Sequence, residues 1–524
     1  MKKIFLSTIA LAGMMTSAAY AQYDSYAPLF GRTTANGGTA RYTAIGGAGT
    51  SLGADMGAAY VNPAGLGMYR KSEFTFTPNF GFSNSNTSFL GENEKDNKGS
   101  FSISNIGIAL SNIKDDIVPG DWRGGTFSIT MNRTNSFHNK ISLTGVDAQN
   151  SMADYFVQTA NGTYDTYYNN EESPYNSQSA GITSLGGLAY WSFLIEPDSI
   201  QGNIYTSNMQ GETVLKEATY TTKGAQYQWN AAYGASYKDR LYIGGAIGLS
   251  TINFREDLSY TETVGYSPNN KSNRFVPYPH VVEHFTFNDY NKIKGTGVNL
   301  KLGYIYKISD VVRIGTTITT PTFYWMNQEY NSELSATYEP HITDKGNPPT
   351  ALGTQAFSTT PGYFKFYYTT PLKVSQGLSI FAGKHGFITA DVEYIPYHLS
   401  DISGRNSADD KFLKPYNKII SNSYKGTFNF RTGAELRLSD FRLRGGFAYL
   451  PSPYVLSDGI NRDIMQISGG VGARLDNMYI DLGIVNTRYN SSYKPYSLSN
   501  QQTATAQAKN SLVNVLLTFG FYFE

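Results

Sequence analysis

The C-terminal segment 511–524, SLVNVLLTFGFYFE, alternates with a period of two. Val513, Val515, Leu517, Phe519, Phe521 and Phe523 fall on one wholly apolar face. Leu512, Asn514, Leu516, Thr518, Gly520 and Tyr522 make the opposite face, which is mixed. Side chains along a strand point alternately to its two sides, so the period specifies a strand with one purely apolar side. An apolar face that ends in aromatics suits hydrocarbon followed by an interfacial girdle. The pattern recurs: in TFNFRTGAELRL Phe428, Phe430, Ala434, Leu436 and Leu438 oppose Asn429, Arg431, Glu435 and Arg437. In FRLRGGFAY Phe441, Leu443 and Phe447 oppose Arg442 and Arg444, and in FITADVEY Ile388, Ala390, Val392 and Tyr394 oppose Asp391 and Glu393. A soluble sandwich would turn the charged faces to water, and a membrane barrel would turn them to its lumen. Locally the two patterns are identical.

The connections separate them. Tight polar turns at 237–242, 307–312, 383–387, 438–441 and 475–478 alternate with long Tyr-, Asn- and Ser-rich segments. These lie at about 134–224, 255–293, 325–361, 396–425, 450–463 and 488–509. Short turns at one end and long loops at the other are the arrangement of outer-membrane barrels. Strands are predicted to start near 72, 100, 123, 225, 241, 294, 311, 362, 387, 425, 441, 464, 478 and 511. The expected fold is therefore all-β: an antiparallel transmembrane barrel of about fourteen strands, an even number. Pro78 and Pro371 fall inside strand patterns, where each removes a ladder donor and suggests a kink or an edge-like gap. The largest loop, 134–224, holds the briefly helical stretches SMADYFVQTA and SLGGLAYWSFLIEP. Its Tyr190, Trp191, Phe193 and Leu194 form either an outer capture surface for an apolar ligand or a small core that packs the loop on itself.

The N-terminus, MKKIFLSTIALAGMMTSAAYA, has two lysines, an apolar run and an Ala-x-Ala site, the pattern of a cleaved signal peptide over residues 1–21. No later stretch is apolar and long enough for a spanning helix. Export to the outer membrane of a Gram-negative bacterium is expected, with lipid and lipopolysaccharide as surroundings. Lys and Arg number 42 against 41 Asp and Glu, which argues against a nucleic-acid partner. Cysteine is absent, which excludes disulfides and thiolate chemistry.

No catalytic motif fits. GGAGTSLGADMGAAY at 46–60 lacks the lysine of a phosphate loop, and Gly47-Ala48-Gly49 finds its next glycine one residue late, at Gly53. HVVEH at 280–284 matches an inverted zinc-hydrolase motif, but that motif needs a helix. In the extended conformation that the neighbouring sequence favours, His280 and His284 stand roughly 13 Å apart. No G-x-S-x-G elbow occurs. The chain is read as no enzyme, with no cofactor and no metal. Arg431, Arg437, Arg442 and Arg444 are candidate luminal partners for a ligand carboxylate, the alternative being a solvated or mutually paired barrel interior.

Residues 39–74, TARYTAIGGAGTSLGADMGAAYVNPAGLGMYRKSEF, carry a run of small residues, an acid at Asp55 and then Asn62-Pro63-Ala64 just ahead of the first strand. This resembles the N-terminal hatch of the long-chain fatty acid transporter family of outer-membrane proteins, the FadL/TodX type. SITMNRTNSF, YKDRLYIG, TTPLK and ITADVEYIPY are similar to family members further along. The resemblance implies a plug over residues 22–71 and a barrel over 72–524. It implies passive entry of hydrophobic compounds such as long-chain fatty acids through a monomer. Hatch movement about Asp55 and Asn62-Pro63-Ala64 would open the path, and the compound would leave sideways through a gap at the third strand, near 122–133. A luminal apolar slot is expected for such a cargo. The competing reading is a structural or secretion-associated barrel of the same fold, with a sealed hatch.

Overall fold

The computed structural model describes residues 25–32, 37–114, 120–209, 212–265, 282–338, 352–455, 458–499 and 503–523. The signal segment 1–21, His280 and His341 lie outside them. The chain first folds as α1 (Tyr26–Gly31), α2 (Ala40–Ala44), α3 (Ala58–Val61) and a 3-10 turn over Pro63–Met68. The first barrel strand begins directly after, at Ser72.

The barrel strands are β1 (Ser72–Phe89), β2 (Glu92–Ile113), β3 (Trp122–Ser136, resuming as Asn139–Asp147), β4 (Val214–Tyr237), β5 (Leu241–Val264), β6 (Val282–Lys307) and β7 (Val312–Thr319 with Phe323–Tyr338). They continue as β8 (Gly362–Thr369 with Lys373–Phe381), β9 (Gly386–Pro396), β10 (Gly426–Leu438), β11 (Phe441–Leu450), β12 (Ile464–Arg474), β13 (Met478–Tyr493) and β14 (Ala506–Phe523). Each pairs antiparallel with the next, and β14 returns to β1 from Ser72↔Phe523 to Ser88↔Gln507, closing a fourteen-stranded barrel. Closure leaves no free sheet edge in the membrane.

Alternation decides which way each strand faces. On β1, Phe74, Phe80 and Phe82 are exposed, while Thr75, Thr77, Asn79 and Ser83 are buried in the lumen. Phe74 to Phe82 spans nine residues, the length a tilted strand needs to cross hydrocarbon, ~9–11. Outward of Phe82 the exposed residues are Asn84, Asn86 and Ser88. Neighbouring strands switch at the same level, marked by exposed Phe101, Trp229 and Trp325, and the lower rim carries exposed Tyr306, Phe441, Phe521 and Phe523. These are two aromatic girdles around an apolar band.

The strands run further outward than the sequence marks: β2 begins at Glu92 rather than near 100, β4 at Val214 rather than 225, and β6 at Val282 rather than 294. Beyond the outer girdle the outward faces turn polar, while the inward faces of β4 and β6 bury Val214, Phe285 and Phe287 against the loop between β3 and β4. The hydrophobic alternation fades there while the backbone ladder continues, so parts of the expected loops are strand. Between β3 and β4 lie α4 (Met152–Ala160), α5 (Asp165–Asn170) and α6 (Leu185–Trp191). Ser151 starts α4 with a capping box to Asp154. A last helix, α7 (Ser407–Ser423), lies between β9 and β10.

Candidate functional site

The hatch sits against wall glycines spread around the barrel. Gly234 and Gly244 face each other across β4 and β5, Gly315 and Gly377 across β7 and β8, Gly433 and Gly446 across β10 and β11, and Gly470 and Gly483 across β12 and β13. A Cβ at Gly244 would stand 2.4 Å from the Pro63 carbonyl carbon, at Gly315 2.2 Å from Thr50 O, at Gly433 2.3 Å from Ile45 O, and at Gly446 2.1 Å from Gly46 N. Only glycine lets the hatch backbone come this close to the wall.

Asn62 is 1% exposed. Its Nδ2 donates to Thr50 O at 2.7 Å, Tyr304 O at 3.1 Å and Thr316 O at 3.4 Å, and its Oδ1 accepts from Ala64 N at 3.1 Å. Gly303 of β6 admits it, since a Cβ there would lie 2.1 Å from Oδ1. Pro63 opens the 3-10 turn, where its missing N–H costs nothing. Movement of Asn62 away from the wall has to break its bonds to Tyr304 O and Thr316 O. Asp55 accepts from Thr39 Oγ1 at 2.9 Å and Gly57 N at 2.8 Å, and faces Arg41 at 3.5 Å. Arg41 also reaches Glu435 of β10 at 3.3 Å, which ties hatch to wall. Burial opposes its charge, but Glu435 and then Asp55 hold the guanidinium above its ordinary range.

The four candidate arginines are luminal but already engaged. Arg431 pairs with Glu393 at 2.9 Å. Arg444 pairs with Glu435 at 2.8 Å and Asp481 at 2.7 Å, and Arg437 with Glu435 at 3.0 Å. Arg442 bonds the carbonyls of Ser439 and Phe441 at the turn. Three of the four thus meet luminal carboxylates, with Glu435 directly opposite Arg444 across the strands, while Arg437 stands opposite Arg442. Lys301 of β6 and Lys373 of β8 also face luminal space. They border a cavity of about 90 Å³ with Tyr42, Tyr60, Asp391, Glu393 and Arg431. Lys301 bonds Tyr60 O and lies 4.2 Å over the Tyr60 ring, and Lys373 reaches Gly31 O at 3.1 Å. Lys301 was legible as luminal, since Leu300 and Leu302 are exposed to lipid on either side of it. The lining of this cavity is mostly polar.

Apolar space lies further out. Tyr26 and Phe30 of α1 enter a cluster with Phe137, Phe254, Phe366 and Tyr368. Phe30 meets Phe137 at 5.8 Å, Phe254 at 5.9 Å and Tyr368 at 6.2 Å, mostly edge to face, and Tyr26 stacks on Phe366 at 6.1 Å. Beside it the wall is broken. The β2–β3 ladder ends at Asn105↔Asn132. The β3–β4 register slips between Arg133 and Asn135, and β3 is interrupted at Phe137 and His138. Pro78 stands opposite the slip in β2 that leaves Ser104 unpaired with β1. The outer half of β3 then leans onto inward-facing groups of β1 and β2: Ser85 Oγ donates to Lys140 O at 2.5 Å and Ser142 N to Asp96 Oδ2 at 2.6 Å. Across the gap Arg133, 3% exposed, donates from Nη1 to Ser102 Oγ at 2.7 Å and from Nη2 to Ser136 Oγ at 2.8 Å. Asn135 Nδ2 donates to Leu29 O at 3.0 Å, joining α1 to the break. The irregularity thus falls at Arg133–His138, at and beyond the outer end of the expected stretch.

Of the candidate capture residues, Leu194 is fully buried, Tyr190 and Trp191 are half-buried, and Phe193 is exposed. Trp191 packs on Tyr175 and Phe357, and Tyr190 on Tyr168 and Tyr205. With Phe156, Leu188, Phe285 and Phe287 they form one core that caps the barrel's outer end. His284 lies in the extended β6. Among the described residues no group of three or more His, Asp or Glu could hold a metal ion.

Two solved structures share this architecture. A FadL homologue of Pseudomonas aeruginosa matches 94% of this chain and 100% of its own, at 10% identity and a TM-score of 0.54. The toluene transporter TodX of Pseudomonas putida matches 93% of this chain and 99% of its own, at 13% identity and a TM-score of 0.51. At such identities the likeness establishes the fold: this chain has the plugged fourteen-stranded barrel of those proteins. Neither protein-family models nor curated protein sequences give a match to it.

Proposed function

We propose that the chain is an outer-membrane channel that admits hydrophobic compounds, long-chain fatty acids among them, and releases them sideways into the membrane. The observation that carries this reading is the break in the β2–β3 ladder beside an aromatic cluster filled by the chain's own α1. An apolar solute that reaches the cluster would take the place of Tyr26 and Phe30. It would then leave between β2 and the displaced outer half of β3 once the Arg133 bridge loosens. Such a route spares apolar surface from bulk water throughout. The polar cavity with Lys301 and Lys373 suits a cargo with an acidic head, whose carboxylate those ammonium groups would meet. The apolar belt and the signal-like N-terminus support an outer-membrane location.

A sealed barrel with a structural role draws support from one feature, the seating of the hatch on wall glycines around the circumference. Uptake discriminates. Cells that express the chain should take up a labelled long-chain fatty acid faster than cells with an empty vector, and removal of residues 25–32 should change that rate. If uptake equals that of the empty vector, and the purified barrel retains neither detergent nor lipid, the transport reading fails.

A further inference from the structure

A second cavity, about 220 Å³, opens at the opposite end of the hatch. Its lining joins hatch residues Leu52, Gly53 and Ala54 to Arg313 of β7, Phe381 of β8 and Arg437 of β10. Asp310 and Gly383, from two of the tight turns, place it at the short-turn, periplasmic mouth.

Its cations are held in place. The Arg313 guanidinium lies 4.0 Å over the Phe381 ring and the Arg437 guanidinium 5.8 Å over the Phe387 ring, and the two rings are 5.6 Å apart. Stacking fixes a guanidinium plane and leaves its N–H edge for a planar acceptor. Glu435 is shared by Arg41, Arg437 and Arg444. Arg313 has no ion pair among the described residues, and its Nε is buried with no hydrogen-bond partner. Its Nη1 makes only long contacts, to Leu52 O at 3.4 Å and Met68 Sδ at 3.6 Å. A guanidinium donor hidden from water without an acceptor is costly, and an oxyanion removes that cost by accepting two parallel N–H bonds.

We infer that this periplasmic mouth is an anion-binding pocket, built on Arg313 and Arg437, that takes a carboxylate or phosphate group. Asp310, facing the same space, favours a ligand that presents only one anionic group. The site is separate from the aromatic cluster and the wall gap, so it stands or falls independently of hydrophobic transport.

The test is calorimetric titration of the purified full-length chain, in a non-ionic detergent at low salt, with inorganic phosphate and with acetate. Saturable binding of at least one anion is expected. Arg313→Gln and Arg437→Gln should each weaken it more than tenfold. Arg313→Lys, which keeps the charge but loses the fork, should give an intermediate loss. Arg255→Gln, which removes an outer arginine paired with Asp257, should leave it unchanged. Binding of acetate alone assigns the pocket to carboxylates and binding of phosphate alone to phosphates. The proposal is overturned if neither anion binds saturably, or if folded Arg313→Gln and Arg437→Gln, verified by heat-modified gel mobility, bind as the wild type does.

Discussion

Replacing Asn62 by alanine tests what holds the hatch. The substitution removes a buried side chain that bonds Thr50 O, Tyr304 O, Thr316 O and Ala64 N. Tyr304 and Thr316 belong to paired wall strands. Thr50 O and Ala64 N belong to the hatch, outside any strand, and would lose their Asn62 bonds inside the barrel. A buried group left without its partner costs about 1–3 kcal/mol. Two of them make hatch opening easier by about 2–6 kcal/mol, or about 30- to 20,000-fold at about 1.4 kcal/mol per decade. The barrel should stay intact, because its ladder bonds do not involve Asn62. Native-state hydrogen exchange of the purified protein reads the two separately: amides of residues 39–68 should exchange faster by that factor while those of β10–β14 keep their protection. Unchanged protection of residues 39–68 in Asn62→Ala would refute the clamp.

Arg133→Ala removes the bridge between Ser102 and Ser136, so entry of an apolar fluorescent probe into cells should rise several-fold; an unchanged rate would mean that the bridge does not control the gap. Gly446→Leu places a side chain where even a Cβ would stand 2.1 Å from Gly46 N. It should expel the hatch from its seat and give large conductance steps in planar bilayers, whereas wild-type conductance would contradict the seating. Burial pushes the Glu172 carboxyl of the outer cap upward, and hydrogen bonds from Thr183 and Ser184 offset this only in part. The folded cap therefore holds this proton more tightly than the unfolded chain does. Its contribution to stability is complete below the ordinary carboxylate value, ~4.3, and is lost as pH rises through the folded value. Proteolytic resistance of the cap should be greater at pH 5 than at pH 7, and Glu172→Gln should flatten that difference.

Much of the barrel was legible because lipid imposes a strict rule. An outward residue in the apolar band must be apolar, so the period of two survives in Val513 to Phe523 and in Phe428 to Leu438, and with it the strand count. Outside the band that rule lapses, and the outer halves of β2, β4 and β6 read as loop. The same alternation put Arg431, Arg437, Arg442 and Arg444 in the lumen. It did not say which carboxylates meet them, since that depends on register between strands far apart in sequence, as with Arg444 and Asp481. Pro78 was legible as an irregularity, and it lies at the level of the wall gap. Arg133 had no signal of its own, because its role follows from a break in pairing rather than from a motif. Leu194 and Trp191 left two readings open, since an apolar stretch in a long loop looks the same whether it meets a ligand or its own neighbours.

Sideways release through the β2–β3 gap is the claim on which the account turns, and a chain without cysteine allows it to be tested cleanly. Ser102 and Ser136 flank the same Arg133 guanidinium. Cysteines introduced at both, joined by a short bis-maleimide, would pin β3 to β2. Fatty acid uptake should then fall to the empty-vector rate, while each single cysteine treated with the same reagent keeps wild-type uptake. Undiminished uptake by the fully crosslinked protein would contradict release through the wall.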